Sequence, residues 1–291
     1  MKKVFLTLIA AVLLFAGCSK DTDNNTNTAK VTVCVSDFTF SQTELPSGKS
    51  DIVDYAGVKA ITLAFYKSDG TEAYVHTQLK DDATTYTTFG EFTTSLTMGG
   101  YTMVVLGYGY YDGDVLELTS PTSAAYTSDH VREIFAATED ITITNCEAMN
   151  LTATLNRAIA KVQVVSTDTR TDDVVYIRTT FSAGGKSFNP TTGLATVNTG
   201  FANTVQGNGN TGQTTTATSY LFLATDEQTM DVTIETLDAD GNTLFSKTVT
   251  DVPMRRNCLT TMTGAMYTNA GVSSGSFQIN TEWLPGYDVP F

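Results

Sequence analysis

Met149-Asn150-Leu151-Thr152-Ala153-Thr154-Leu155-Asn156-Arg157-Ala158-Ile159-Ala160-Lys161-Val162-Gln163-Val164 is the stretch whose pattern decides the fold. Met149, Leu151, Ala153 and Leu155 alternate with polar residues, and Ala160, Val162 and Val164 resume the alternation after a break. A period of two belongs to a strand with one buried face. One strand therefore ends and another begins near Asn156-Arg157, and we expect a boundary there between two folded units. Taken alone, the stretch is an ordinary strand pair with Arg157 and Lys161 solvated.

The same period runs outward in both directions. Val31, Val33 and Val35 alternate with Thr32, Cys34 and Ser36, and Ile61, Leu63 and Phe65 alternate likewise. Lys67-Ser68-Asp69-Gly70 then supplies the chemistry of a tight hairpin. The nearly continuous apolar run over 101–108 predicts a central strand, and Ile141 and Ile143 mark another. Downstream, Val174 to Phe181 is a candidate strand. Met230, Val232 and Ile234 face away from Asp231, Thr233 and Glu235. Residues 237–242 form a hairpin turn, with Thr243 to Val249 as the return strand. Phe277, Ile279, Thr281 and Trp283 share a face. Residues 198–218, rich in Gly, Asn and Thr, predict a long exposed loop. One helix is expected within 128–137, capped by Ser128 or Asp129. Short strands with turns at this spacing predict an all-β chain of sandwiches, with domains over 30–156 and 157–291.

The N-terminus carries an address. Met1-Lys2-Lys3 is basic, Val4 to Phe15 is apolar apart from Thr7, and Ala16-Gly17 precede Cys18. This is the layout of a secretory signal peptide over 1–17. With a cysteine at the cleavage point it resembles the bacterial lipoprotein signal, which is cut between Gly17 and Cys18. That resemblance implies lipid, a diacylglyceryl group and palmitate, on Cys18, and hence a lipid-anchored protein at the outer membrane. An apolar core of about a dozen residues is too short to span a bilayer, which needs roughly 20. Ser19 to Ala29 contains no hydrophobic residue larger than Ala, so 18–29 is expected to be a flexible tether. Ser19-Lys20-Asp21 resembles a surface-export signal.

Removing residues 1–17 from the 291 leaves 274, enough for two ordinary domains. The formal net charge of −14 becomes −16 without Lys2 and Lys3. Such a chain repels phosphate backbones, which argues against a nucleic-acid partner. If Cys18 carries lipid, Cys34, Cys146 and Cys258 remain. Two readings stand: one disulfide between Cys34 and Cys146, or three buried unpaired thiols.

Motifs for catalysis fail on context. Gly207-Asn208-Gly209-Asn210-Thr211-Gly212 spells a dinucleotide fingerprint, but Gln213-Thr214-Thr215-Thr216 is a poor helix opening. Gly271-Val272-Ser273-Ser274-Gly275 spells a nucleophile elbow, yet no histidine follows His130. Asp112-Gly113-Asp114 and Asp238-Ala239-Asp240-Gly241 lack a full calcium ligand set and fit hairpin turns. His76 and His130, the two histidines, have no zinc-type spacing. We therefore expect no catalytic residue, no metal and no cofactor. Tyr108, Tyr110 and Tyr111 among glycines are the best candidates for a glycan-binding platform, the competing view being a strand end with ordinary amphipathic tyrosines.

Leu155-Asn156-Arg157-Ala158-Ile159-Ala160-Lys161-Val162 also resembles the central Leu-x-Arg-x-x-Ala-Lys segment of the fimbrillin superfamily, the subunits and anchors of type V pili. Phe188-Asn189-Pro190-Thr191-Thr192-Gly193 resembles a turn of that superfamily. Asp251-Val252-Pro253-Met254-Arg255-Arg256-Asn257 with Thr260-Thr261-Met262-Thr263-Gly264 resembles its C-terminal segment. The likeness is nearest to the anchor-type lipoproteins. It implies two tandem transthyretin-like β-sandwich domains and assembly with other fimbrial subunits by strand complementation. Stalk subunits of the superfamily lose their lipid to a protease, typically arginine-specific. Here the first arginine is Arg132. The resemblance therefore implies a lipid-retaining anchor or terminating subunit acting in adhesion. The alternative is a surface lipoprotein that binds glycan or host protein.

Overall fold

A computed structural model of the chain describes residues 28–39, 50–51, 55–111, 114–128, 130–207, 211–267 and 278–280. Gly17, Cys18, Asp112-Gly113 and the 271–275 motif lie outside them, as do Phe277, Thr281 and Trp283. Every regular element among the described residues is a strand. The first ten are β1 (Thr28–Thr39), β2 (Ser50–Asp51), β3 (Ala60–Lys67), β4 (Glu72–Leu79), β5 (Glu91–Thr97), β6 (Gly99–Tyr108), β7 (Leu116–Ser120), β8 (Ser123–Tyr126), β9 (Ile134–Ile143) and β10 (Met149–Arg157). The others are β11 (Ala160–Ser166), β12 (Tyr176–Phe181), β13 (Ser187–Asn189), β14 (Leu194–Ala195), β15 (Phe201–Gln206), β16 (Thr216–Leu221), β17 (Glu227–Leu237), β18 (Thr243–Arg255), β19 (Leu259–Gly264) and β20 (Gln278–Asn280).

Alternation places the first core. Val31, Val33 and Val35 of β1 and Ala153 and Leu155 of β10 turn inward, against Ile61, Leu63 and Phe65 of β3 and Met103 and Val105 of β6. The order β4-β3-β6-β9 makes one wall, and β10 and β5 flank β1 in the other. The walls meet where Asn156 pairs with Ala136 and Arg157 with Phe135. A second sandwich follows after Arg157. Sheets β16-β11-β19-β20 and β15-β12-β17-β18 enclose Val162, Val164, Ile177, Val232, Ile234 and Met262. In both sandwiches an early strand pairs in parallel with a late one, β1 with β10 and β11 with β19.

The β3 and β6 strands are buried on both faces. Ala60, Ala64, Tyr66, Val104, Leu106 and Tyr108 form a further core with Leu116, Tyr126, Ile159, Phe188 and Phe222. The run over 101–108 predicts this for β6. For β3, the alternation predicts one buried face, and the extra layer covers the other. That layer is the sheet β14-β13-β8-β7, in which β8 pairs with β13 and so joins chain from either side of Asn156. Phe188 stacks on Phe222 with centroids 4.4 Å apart.

Turns follow their residues. Asp69 Oδ1 accepts from the Thr71 N–H at 2.9 Å, and Gly70 takes φ +82, closing β3 to β4 as expected. Asp238 accepts from the N–H groups of Asp240 and Asn242 at the β17–β18 hairpin, the turn expected there. Three expectations need correction. Residues 134–143 are strand β9, not part of a helix, because all ten pair with β6. The Ser128 hydroxyl does accept from the His130 N–H, at 3.0 Å, but closes only a local turn. Residues 198–218 hold β15 and most of β16, since Asn203, Ala217 and Ser219 are buried. The strand expected from Val174 starts at Tyr176.

Candidate functional site

The cluster with the most buried charge lies where the two sandwiches join. The alternation of β10 carries Arg157 to its end, and 6% of the residue is exposed. Its Nη2 meets Glu133 Oε1 at 2.6 Å, and Nη1 donates to Asn257 Oδ1 at 2.9 Å. Nη2 also donates to the Tyr55 hydroxyl at 3.3 Å, and the guanidinium sits 4.9 Å from the Phe135 ring centre. Tyr55 in turn donates to Glu133 Oε2 at 2.8 Å. Burial first, and Glu133 second, raise the Tyr55 phenol well above its ordinary range. The same two causes push Tyr220 up to about 12. Arg157 is therefore a buried pivot, which corrects its reading as solvated; Lys161 is only half-buried.

A cleft of about 920 Å³ opens beside this pivot. Its walls include Thr138, Thr154, Pro190, Gly193, Arg255 and Asn257. Arg256 braces the rim by pairing with Asp226 at 2.6 Å and donating to the Thr192 carbonyl at 2.7 Å. Gly193 is required there, since its φ is +71 and a Cβ would collide with the Arg256 guanidinium. Asn257 also takes a positive φ, +60, to turn β18 into β19. The motif 251–257 thus brings Asn257 to Arg157 from the second sandwich. Glu133 and Tyr55, the other partners, carry no local sequence signal, because their neighbours in space are distant in the chain. A second polar chain crosses the junction: His130 Nδ1 meets Asn203 Oδ1 at 2.6 Å, and Asn203 donates to Ser219 Oγ at 2.8 Å.

The other expected site residues are dispersed. Tyr108 is 1% exposed and hydrogen-bonds Thr62 at 3.2 Å, so it cannot present a ring to a glycan. Tyr110 packs half-buried against the same core, and Tyr111 alone of the three is open, at 61% exposure. Strand pleating separates them, since neighbours in a strand point to opposite faces. Cys34 and Cys146 are exposed and unpaired, and Cys258 is half-buried and unpaired, with its thiol pushed up by burial. Cys34 lies opposite Thr152, whereas Cys146 precedes β10 altogether. The Met149–Thr152 strand alone spans about 10 Å, beyond the reach of a disulfide. Gly207 and Gly212 flank residues that lead into β16, a strand. His76 lies on β4 with its ring 6.1 Å from Phe92. Among the described residues no cluster of three or more His, Cys, Asp or Glu could hold a metal.

The arrangement can fix two sandwiches together and offer a polar surface. No nucleophile is aligned with a base at this junction. The model of a family of unknown function, DUF6562, matches residues 42–289. The chain belongs to that family. No curated protein matches it. Solved structures share its fold at low identity. A candidate adhesin from Bacteroides ovatus superposes with a TM-score of 0.53 at 11% identity, over 90% of this chain and 96% of that one. The fimbrial anchor protein Mfa2 from Porphyromonas gingivalis gives 0.51 at 14% identity, over 88% and 98%. The architecture is thus the β-sandwich fold of the fimbrial anchor, as the central and C-terminal motifs lead one to expect.

Proposed function

We propose that this chain is a cell-surface fimbrial subunit acting in adhesion, held by lipid on Cys18 in the outer membrane and serving as an anchor or terminating subunit. The observation that carries the reading is a fold shared with a fimbrial anchor over nearly the whole of both chains. The lipoprotein-type signal ending at Cys18 supports it, as does the lack of arginine before Arg132. We further propose domains over 30–156 and 157–291, and partners that are other fimbrial subunits joined by strand complementation. Binding of that kind draws on main-chain hydrogen bonds and needs no catalytic group.

Extraction of surface pili followed by immunoblotting tests the role. A lipidated band that co-purifies with pili is expected. Absence from the pilus fraction would remove the fimbrial reading. Mass spectrometry of the mature N-terminus tests retention, since a lipid-free start near Lys49 would exclude an anchor. A second reading, glycan binding, draws on Tyr111, whose exposed ring has Lys59 Nζ at 4.9 Å and the Arg132 guanidinium at 4.6 Å. Glycan-array binding lost in Tyr111→Ala but retained in Tyr110→Ala would favour it.

A further inference from the structure

We propose that the fold is a pair of shear clamps in series, built to carry tension along the chain. The biological load rests on the anchor reading above; the mechanical property does not. Tension on an anchored subunit enters through the chain before Thr28 and leaves through the second sandwich. It is applied to the N-terminal end of β1 and the C-terminal end of β10. These strands are parallel, with partners from Val31↔Met149 to Thr39↔Asn156. In a parallel pair those two ends lie at opposite ends of the ladder. The pull therefore runs along the strands and loads the hydrogen bonds together instead of peeling them one at a time. β5 holds the other side of β1 from Thr28↔Thr97 to Cys34↔Glu91, so two ladders resist the same sliding. Val31, Val33 and Val35, each at most 3% exposed, would have to be dragged out of their core positions for β1 to slip.

The second sandwich repeats the device. Ala158 and Ile159, both buried, pass the load from β10 into the N-terminal end of β11. β19 lies parallel to β11 from Lys161↔Leu259 to Ser166↔Gly264, and the chain leaves from its C-terminal end. The short β20 pairs antiparallel with β19 through three positions and lies outside this clamp. Each sandwich thus uses its parallel pair, the less common kind in such folds, at the place where axial force would act.

Pulling one protein in two directions tests this. The chain from residue 18, carrying Cys18→Ser, Cys34→Ser and Cys258→Ser, keeps exposed Cys146 as its thiol handle. Circular dichroism confirms that the variant folds before it is pulled. Handles on the two termini load the β1–β10 ladder in shear. Handles on the N-terminus and Cys146 load the same ladder from one end, because Cys146 precedes β10 on the side where β1 begins. Rupture of the first sandwich is recognised by its released length, roughly 45 nm for the stretch from β1 through β10. The expected result is a rupture force several-fold higher between the termini than between the N-terminus and Cys146. Equal forces, or a lower force between the termini, would overturn the clamp. A chain absent from pilus extracts that still shows the force difference would retain the clamp and lose its assigned load.

Discussion

Arg157 shows how one side chain ties the molecule together. Its guanidinium serves Glu133 and Tyr55 from the first sandwich and Asn257 from the second. Removing it leaves the buried Glu133 carboxylate without its cation, which costs about 3–5 kcal/mol. Urea unfolding of Arg157→Ala should show a loss of that size; a loss under about 1 kcal/mol, the worth of an exposed pair, would mean the site relaxes into solvent. Glu235 gives a milder case. The Arg178 Nε donates to it at 2.7 Å and holds its carboxyl below the ordinary 4.5. A depressed folded value stabilises the protein above pH 4.5, and that contribution disappears as pH falls through the folded value. The pair is partly exposed, so the effect is below about 1 kcal/mol. Thermal melts from pH 6 to 3 should lose less stability in Glu235→Gln than in the parent chain, and parallel curves would show that the pair does not matter. Neither role was legible beforehand. A lone arginine after an alternating strand reads as solvated until the fold brings its partners.

At the scale of elements, register governs covalent chemistry. Cys34 faces Thr152 across the β1–β10 ladder, and both are exposed on one face. Adjacent strands lie about 4.8 Å apart, within the Cα separation of disulfides. Thr152→Cys should therefore form a bond to Cys34 on mild oxidation, seen as a non-reducing gel shift, while the parent forms none with Cys146. A shift in the parent chain would place the strands in another register. The β13 strand makes a second case. Phe188 is fully buried against Phe222 beneath the sheet shared by both parts of the chain. Phe188→Ala should cost about 3–5 kcal/mol in denaturant unfolding, whereas a surface change such as Thr191→Ala should cost little. Strands with strict alternation, β1, β10, β11 and β17, are readable from sequence because burial on one face writes a period of two. The 128–137 segment misleads because Val131, Ile134 and Phe135 fit helical spacing, and only pairing with β6 selects a strand.

For the whole molecule, the core between the sandwiches qualifies the idea of independent domains. Ile159, Phe188 and Phe222 lie in one cluster with Ala60, Tyr66 and Leu106. A fragment of residues 157–291 would bare those rings, so it should bind a hydrophobic dye strongly and unfold at lower denaturant than the full chain. A fragment as stable as the parent, with no dye binding, would show that the shared core is dispensable. Strand identity, hairpin chemistry and the all-β class follow from the order of residues, because alternation and turn preference are properties of neighbours in the chain. The motif around Arg157 likewise points to the fold seen in the fimbrial anchor before any coordinate is known. The pairing of β1 with β10 and of β8 with β13, the burial of Tyr108 and the partners of Arg157 come from the tertiary structure alone. They join residues tens to more than a hundred positions apart, and contact at that separation is set by how whole sheets stack, which no local pattern encodes.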